Sequence, residues 1–135
     1  MIVMTTAERA GSRIWPSLLR ALTVVVALDG FAQAVFAGRL LAGSYDGLDS
    51  HMLNGIVLAA GILTETIAFA AAWRFGSGTP RPVLIGLGLI ALTAIQMTTG
   101  FRSIVAVHVP VGVLLIGGLL WQVGQAWQEP AGARA

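Results

Sequence analysis

Four long apolar stretches alternate with short polar breaks along the chain, over roughly 17–38, 53–74, 82–100 and 104–126. Each is close to the roughly 20 residues that a helix needs to cross the hydrocarbon layer of a bilayer. The breaks have the chemistry of aqueous connections. "AGSYDGLDS" over 42–50 reads as a polar loop, "FGSGTPRP" over 75–82 stops one helix and starts the next, and "GFRS" over 100–103 is a tight turn. Residues 1–14 and 129–135 read as polar tails. The pattern predicts an all-α fold, an antiparallel four-helix transmembrane bundle forming a single domain over 1–135.

Composition strengthens that reading. Hydrophobic residues make up 56% of the 135 and charged residues only 10%, against about 25% charged in soluble domains. A small globule could not hide so much apolar surface, so the lipid bilayer is the expected surrounding. The net charge is +2 and no basic run appears, which argues against a nucleic-acid partner. There is no Cys, which excludes disulfides, thiolate metal sites and covalently attached c-type haem.

The arginines suggest an orientation. Arg9, Arg13, Arg20, Arg74, Arg81 and Arg134 fall on one side of the predicted bundle, and Arg39 and Arg102 on the other. The positive-inside rule then places the chain in a bacterial inner membrane with both termini cytoplasmic. Trp15, Trp73, Trp121 and Trp127 lie near the predicted inner ends, where indole rings favour the interface. Small residues in "AQAVFAG" resemble a signal-peptidase site, but Arg20 and Asp29 interrupt the first apolar run and argue against a cleaved leader.

Two histidines are the only ones present, and each is followed by a glycine four residues later: His51 with Gly55, and His108 with Gly112. They open the second and fourth helices, which run in the same direction and sit diagonally in a four-helix bundle. Pro110 is expected in the first turn of its helix, where proline is tolerated. The two imidazoles are thus expected to face each other across the core near the outer surface. Neutral imidazole ligates haem iron and other metals. Residues four apart share a helix face, so Gly55 and Gly112 would clear room for a porphyrin beside each ligand. Arg39 and Arg102 would stand near haem propionates, for which guanidinium groups are well suited. A purely structural role for the histidines and ligation of another metal remain alternatives. Zinc lacks an evident third or fourth ligand, since Asp46 and Asp49 fall in a predicted loop.

Asp29 and Glu65 lie inside predicted spans at similar expected depth. Intramembrane carboxyls are costly and often mark proton paths, so the pair forms a candidate proton relay or quinone contact. Thr64, Thr66, Thr93 and Gln96 are candidate hydrogen-bond partners. The two halves of the chain also rhyme. Each has a Gln (Gln33, Gln96), a Gly (Gly38, Gly100) and an Arg (Arg39, Arg102), then a helix opening with His-x-x-x-Gly.

His51 and His108, on the second and fourth helices near the outer face, resemble the ligand positions in one half of the heme A synthase family. Members of that family contain two similar four-helix bundles. "HVPVGV" over 108–113 is also similar to a segment of small four-helix membrane proteins of actinobacteria. The resemblance covers the whole chain as architecture and implies a haem b held by His51 and His108. Departures are specific. Leu48 and Met52 stand where the family carries Glu and Arg, and the outer-loop cysteines and the second bundle are absent. No clear counterpart stands for the carboxylate that acts on the haem methyl. The resemblance therefore implies a haem-binding bundle and not heme A synthesis.

The leading expectation is a small membrane b-type cytochrome for electron transfer or haem handling, more than a catalyst. Its partners would be a quinone, respiratory complex subunits, or further copies in a homo-oligomer. A cofactor-free accessory subunit of a larger membrane complex is the main alternative. A transporter built on Asp29 and Glu65 is a third.

Overall fold

The computed structural model describes the backbone of residues 6–75 and 78–128, with side chains from residue 15 onward. The described residues form four α-helices and no strands. They are α1 (Thr6–Leu41), α2 (Asp46–Phe75), α3 (Arg81–Phe101) and α4 (Val105–Trp127). All four are long and apolar enough to cross a membrane, and the chain is a multi-pass membrane protein. Large apolar side chains such as Leu28, Leu53, Leu84 and Val113 stand well over half exposed on the outer faces, as bilayer-facing positions do.

Each helix packs on two neighbours, which leaves α1 diagonal to α3 and α2 diagonal to α4. The α1–α2 and α3–α4 connections share one end of the bundle, here the hairpin end. The α2–α3 connection marks the opposite, open end. Between the ends lies an apolar core of Val26, Ala27, Leu58, Ile62, Leu89, Leu115 and Leu119. At the open end, Arg20 donates to the Ala126 carbonyl at 3.0 Å and lies 5.6 Å from the Trp127 ring. Arg81 lies 6.0 Å from the ring of Trp121.

The helices overrun their expected bounds. The first begins at Thr6 instead of near 17, so most of the expected N-terminal tail is helical; residues 1–5 and 129–135 lie outside the described residues. The expected loop over 42–50 shrinks to 42–45. Asp46 and Asp49 instead form the first turn of α2, where carboxylates favour the positive end of the helix dipole. His51 therefore lies in the second turn of α2 and not at its mouth. Pro110 is likewise the sixth residue of α4, past the first turn, and its missing N–H leaves the Ala106 carbonyl without its helical partner.

Both hairpin turns end their first helix the same way. Gly43 N–H donates to the Leu40 carbonyl and Ser44 N–H to that of Arg39; Ser103 N–H donates to Gly100 and Ile104 N–H to Thr99. This is the Schellman arrangement, which places the residue after the C-cap in the left-handed region. Gly43 takes φ 87° and Ser103 takes φ 54°.

The internal repeat is deeper than the sequence suggested. A shift of 57 positions (108 minus 51) carries His51 to His108, Gly55 to Gly112, Leu58 to Leu115, Ile62 to Leu119 and Glu65 to Gln122. From Leu58 onward both members of each pair are buried. A shift of 63 (96 minus 33) carries Thr23 to Gly86, Val26 to Leu89, Gly30 to Thr93 and Gln33 to Gln96. The molecule is thus a duplicated helical hairpin. Gln33 and His51 are 18 residues apart, Gln96 and His108 only 12. The six extra residues fall three on each side of the turn, so the first hairpin projects roughly 4.5 Å further, at 1.5 Å per residue.

Candidate functional site

His51 and His108 meet across the diagonal. Their ring centroids are 6.0 Å apart with the planes at 68°. Both rings are half-buried, and each is held by the preceding helix of its own hairpin. His51 Nδ1–H donates to the Gln33 carbonyl at 3.2 Å, and His108 Nδ1–H to the Gln96 carbonyl at 2.9 Å. A carbonyl only accepts, so Nδ1 carries the proton and Nε2 keeps its lone pair. Fixing the ligand tautomer through an Nδ1–H bond to a carbonyl is how metal-binding imidazoles are commonly oriented.

Each Nε2 faces the amide of the same glutamine. Gln96 Nε2 lies 3.2 Å from His108 Nε2, and Gln33 Nε2 makes a longer approach of 3.4 Å to His51 Nε2 while donating to the His51 carbonyl at 3.0 Å. Here the sequence reading of the glycines needs correction. A Cβ on Gly55 would stand 3.1 Å from Gln33 Nε2, and one on Gly112 would stand 2.9 Å from Gln96 Nε2. The room made by these glycines is filled by glutamine side chains and does not lie open for a porphyrin.

The residues fit two-point ligation of one metal. The ring centres are 6.0 Å apart, close enough for both imidazoles to reach one ion, and each Nε2 lone pair is at present turned to a glutamine amide. Seating a flat macrocycle between them requires the Gln33 and Gln96 amides to rotate away from Nε2. Nothing covalent prevents this, and the Nδ1–H bonds go to backbone atoms that stay in place. Among the described residues no group of three or more His, Cys, Asp or Glu could hold a metal ion, so a four-ligand zinc centre does not fit.

Arg39 and Arg102 are both exposed at the hairpin end, but they are not equivalent. Arg39 lies in the last turn of α1 and Arg102 caps α3. In the two Schellman turns Arg39 corresponds to Thr99, so the matched Gly-Arg pairs of the sequence reading are not structural counterparts.

Asp29 and Glu65 do not share the depth expected of them, so the two carboxyls of the candidate relay do not meet. The Asp29 carbonyl accepts from Asn54 Nδ2 at 3.3 Å, which places Asp29 beside the histidine layer. Glu65 lies 11 residues beyond Asn54, roughly 16 Å along α2. The expected hydroxyl partners are also otherwise engaged. Thr64, Thr66 and Thr93 donate to the carbonyls of Ala60, Ile62 and Leu89, four residues back, a common habit of threonine in helices. Gln96 belongs to His108.

Two residues, Asn54 and Gln122, escaped the sequence reading, and Gln33 and Gln96 were not read there as partners of the histidines. Gln33 and Gln96 hold the imidazoles, and Asn54 donates to Gln33 Oε1 at 3.0 Å. Gln122 is fully buried and donates to the Pro82 carbonyl at 2.9 Å. Its signal was present: it follows His108 by the same fourteen positions that separate Glu65 from His51. Comparison with protein-family models, with curated proteins and with solved structures finds no match to this chain.

Proposed function

We propose that the chain binds one b-type haem between His51 and His108 and serves in electron transfer or haem handling, as a binding protein more than a catalyst. The observation carrying this reading is the meeting of two imidazoles at 6.0 Å, with both Nδ1 protons tied to backbone carbonyls. When bound, the haem would supply a one-electron iron couple, and with both His51 and His108 holding the iron its chemistry would favour electron transfer over oxygen binding. The chain's own residues orient and shield. Gln33 and Gln96 fix each ring through their carbonyls, and their amides cover Nε2 until a ligand takes their place. Arg39 and Arg102 offer guanidinium groups for carboxylates at the hairpin end.

Electron exchange would use a quinone or a subunit of a respiratory complex, or a second copy of the chain. The arginine distribution supports a bacterial cytoplasmic membrane with both termini on the cytoplasmic side. Arg20, Arg74 and Arg81 lie at the open end, against Arg39 and Arg102 at the hairpin end.

The test is a visible spectrum of the protein purified in mild detergent from haem-replete cells, before and after dithionite. A Soret band with sharp reduced α and β bands, lost in His51→Ala and in His108→Ala, is the expected result. A second reading, a cofactor-free accessory subunit of a larger membrane complex, is favoured by the glutamine amides already covering both Nε2 atoms. A colourless preparation that takes up no added haem supports that reading and defeats the first.

A further inference from the structure

A second polar centre lies fourteen residues beyond the histidines, toward the open end. Glu65 is 2% exposed and Gln122 is 0% exposed, and the Gln122 side chain lies against the Glu65 carboxyl. Gln122 directs its amide to Pro82. The same amide also faces the Glu65 carboxyl, but no donor reaches hydrogen-bonding geometry with Glu65 Oε1, Glu65 Oε2 or Gln122 Oε1, and all three oxygens are buried. The hydroxyls of Thr23, Thr66 and Thr93 already donate to backbone carbonyls, so their oxygens can only accept or ligate.

No charged side chain compensates the carboxyl among the described residues. On α1, Arg20 is held by the Ala126 carbonyl and Trp127, and Asp29 stands at the histidine layer. On α2, Arg74 lies over Phe75 at the open end, while Asp46, Asp49 and His51 belong to the hairpin end. From α3 comes only Arg81, exposed over Trp121. Apart from His108, α4 carries no ionisable group.

A buried carboxylate with no donor in hydrogen-bonding geometry and no cation beside it is too costly to stand alone, so it takes up a proton or a positive ion. We propose that Glu65 and Gln122 form a binding site for one small monovalent cation, a proton or a sodium ion, held on the Glu65 carboxyl beside the Gln122 side chain. One carboxyl matches one positive charge. A divalent ion would demand six or more oxygen ligands or retained waters, and the all-oxygen donor set is too hard for a soft metal. As a proton, the cation sits on the Glu65 carboxyl, beside the Gln122 side chain. As sodium, it is ligated by the Glu65 carboxylate with the Gln122 side chain alongside. The site lies roughly 21 Å along α2 from His51, and the inference does not rest on haem binding.

The test uses the full chain in detergent, comparing wild type with Glu65→Gln and Gln122→Met, and Asp29→Asn as the control carboxyl. In sodium-free choline buffer, the proton form is read by infrared spectroscopy. It gives a carboxylic-acid carbonyl band that is lost in Glu65→Gln, shifted in Gln122→Met and kept in Asp29→Asn. The sodium form is read by melting: Tm rises with sodium chloride but not with choline chloride at equal ionic strength, and the rise disappears in both site variants. Either response assigns the site and names the ion. The isotope-edited spectrum of wild type decides even if a variant fails to fold. An ionised Glu65 together with a Tm indifferent to sodium overturns the proposal.

Discussion

Asn54 donates its side-chain N–H to Gln33 Oε1 at 3.0 Å, and this bond has no counterpart in the second hairpin. The shift of 57 positions puts Val111 where Asn54 stands, and Gln96 Oε1 is left buried without a donor. Val111→Asn supplies the missing donor. The expected gain is about 1 kcal/mol, the net value of one hydrogen bond, read by reversible unfolding in detergent. In a Gln96→Leu background the same change should gain nothing, a double-mutant comparison that isolates the pair. A gain independent of residue 96 would count against the equivalence of the two hairpins.

The two glutamines should differ in stability. Gln33 engages His51 Nε2, the His51 carbonyl and Asn54, whereas the Gln96 side chain engages only His108 Nε2. Gln33→Leu also removes the shorter of the two bonds that the Asn54 amide donates, leaving it only the Asp29 carbonyl. We expect it to cost roughly 2–3 kcal/mol, against about 1 kcal/mol for Gln96→Leu. Both variants keep the backbone carbonyls that hold Nδ1, so both should keep any haem spectrum seen in the wild type.

Neighbouring glycines on α4 should respond in opposite ways. A Cβ on Gly118 would press to 2.6 Å from Leu89 Cδ2, while one on Gly117 meets nothing within 4 Å. Gly118→Ala is expected to lower stability by about 1–3 kcal/mol through overpacking. Gly117→Ala should be neutral or raise it by up to about 1 kcal/mol through helix propensity. Equal effects in thermal melts would contradict the close α3–α4 packing.

Ser103 occupies the left-handed region at the position where the first turn has Gly43. A side chain there costs roughly 1–2 kcal/mol. Ser103→Gly is expected to recover up to about 1 kcal/mol, since glycine also loses more freedom on folding, and Gly43→Ala to lose about 1 kcal/mol. Melting temperatures of the two variants moving in the same direction would sink this assignment.

Much of this fold could be read from hydropathy alone, because each span is a nearly unbroken apolar run of bilayer length. Helix ends were harder. Asp46 and Asp49 look like loop residues by composition, yet carboxylates are also good first-turn residues, and the closer packing of Gly47 on the Leu40 backbone tightened the turn. The histidine pair was legible because nothing else in the chain resembles it and helix direction fixes its diagonal placement. The glutamines were visible as a repeat but not as partners, since which helix face a Gln presents depends on rotation within the bundle. Matching Arg39 to Arg102 hid the true register, which lies in the buried aliphatic positions and in the Glu65–Gln122 pair. An apolar stripe in lipid gives little contrast between core and outer face, so that register emerges only once the helices are packed.

The duplicated hairpin makes the α2–α3 connection dispensable to the architecture. Each helical pair spans the bilayer by itself and brings one imidazole with its own glutamine, and transmembrane helices can insert before they associate. A chain severed between residues 77 and 78 therefore yields two fragments with complementary faces. Coexpressed, they should dock side by side in the lipid and rebuild the imidazole pair from separate polypeptides.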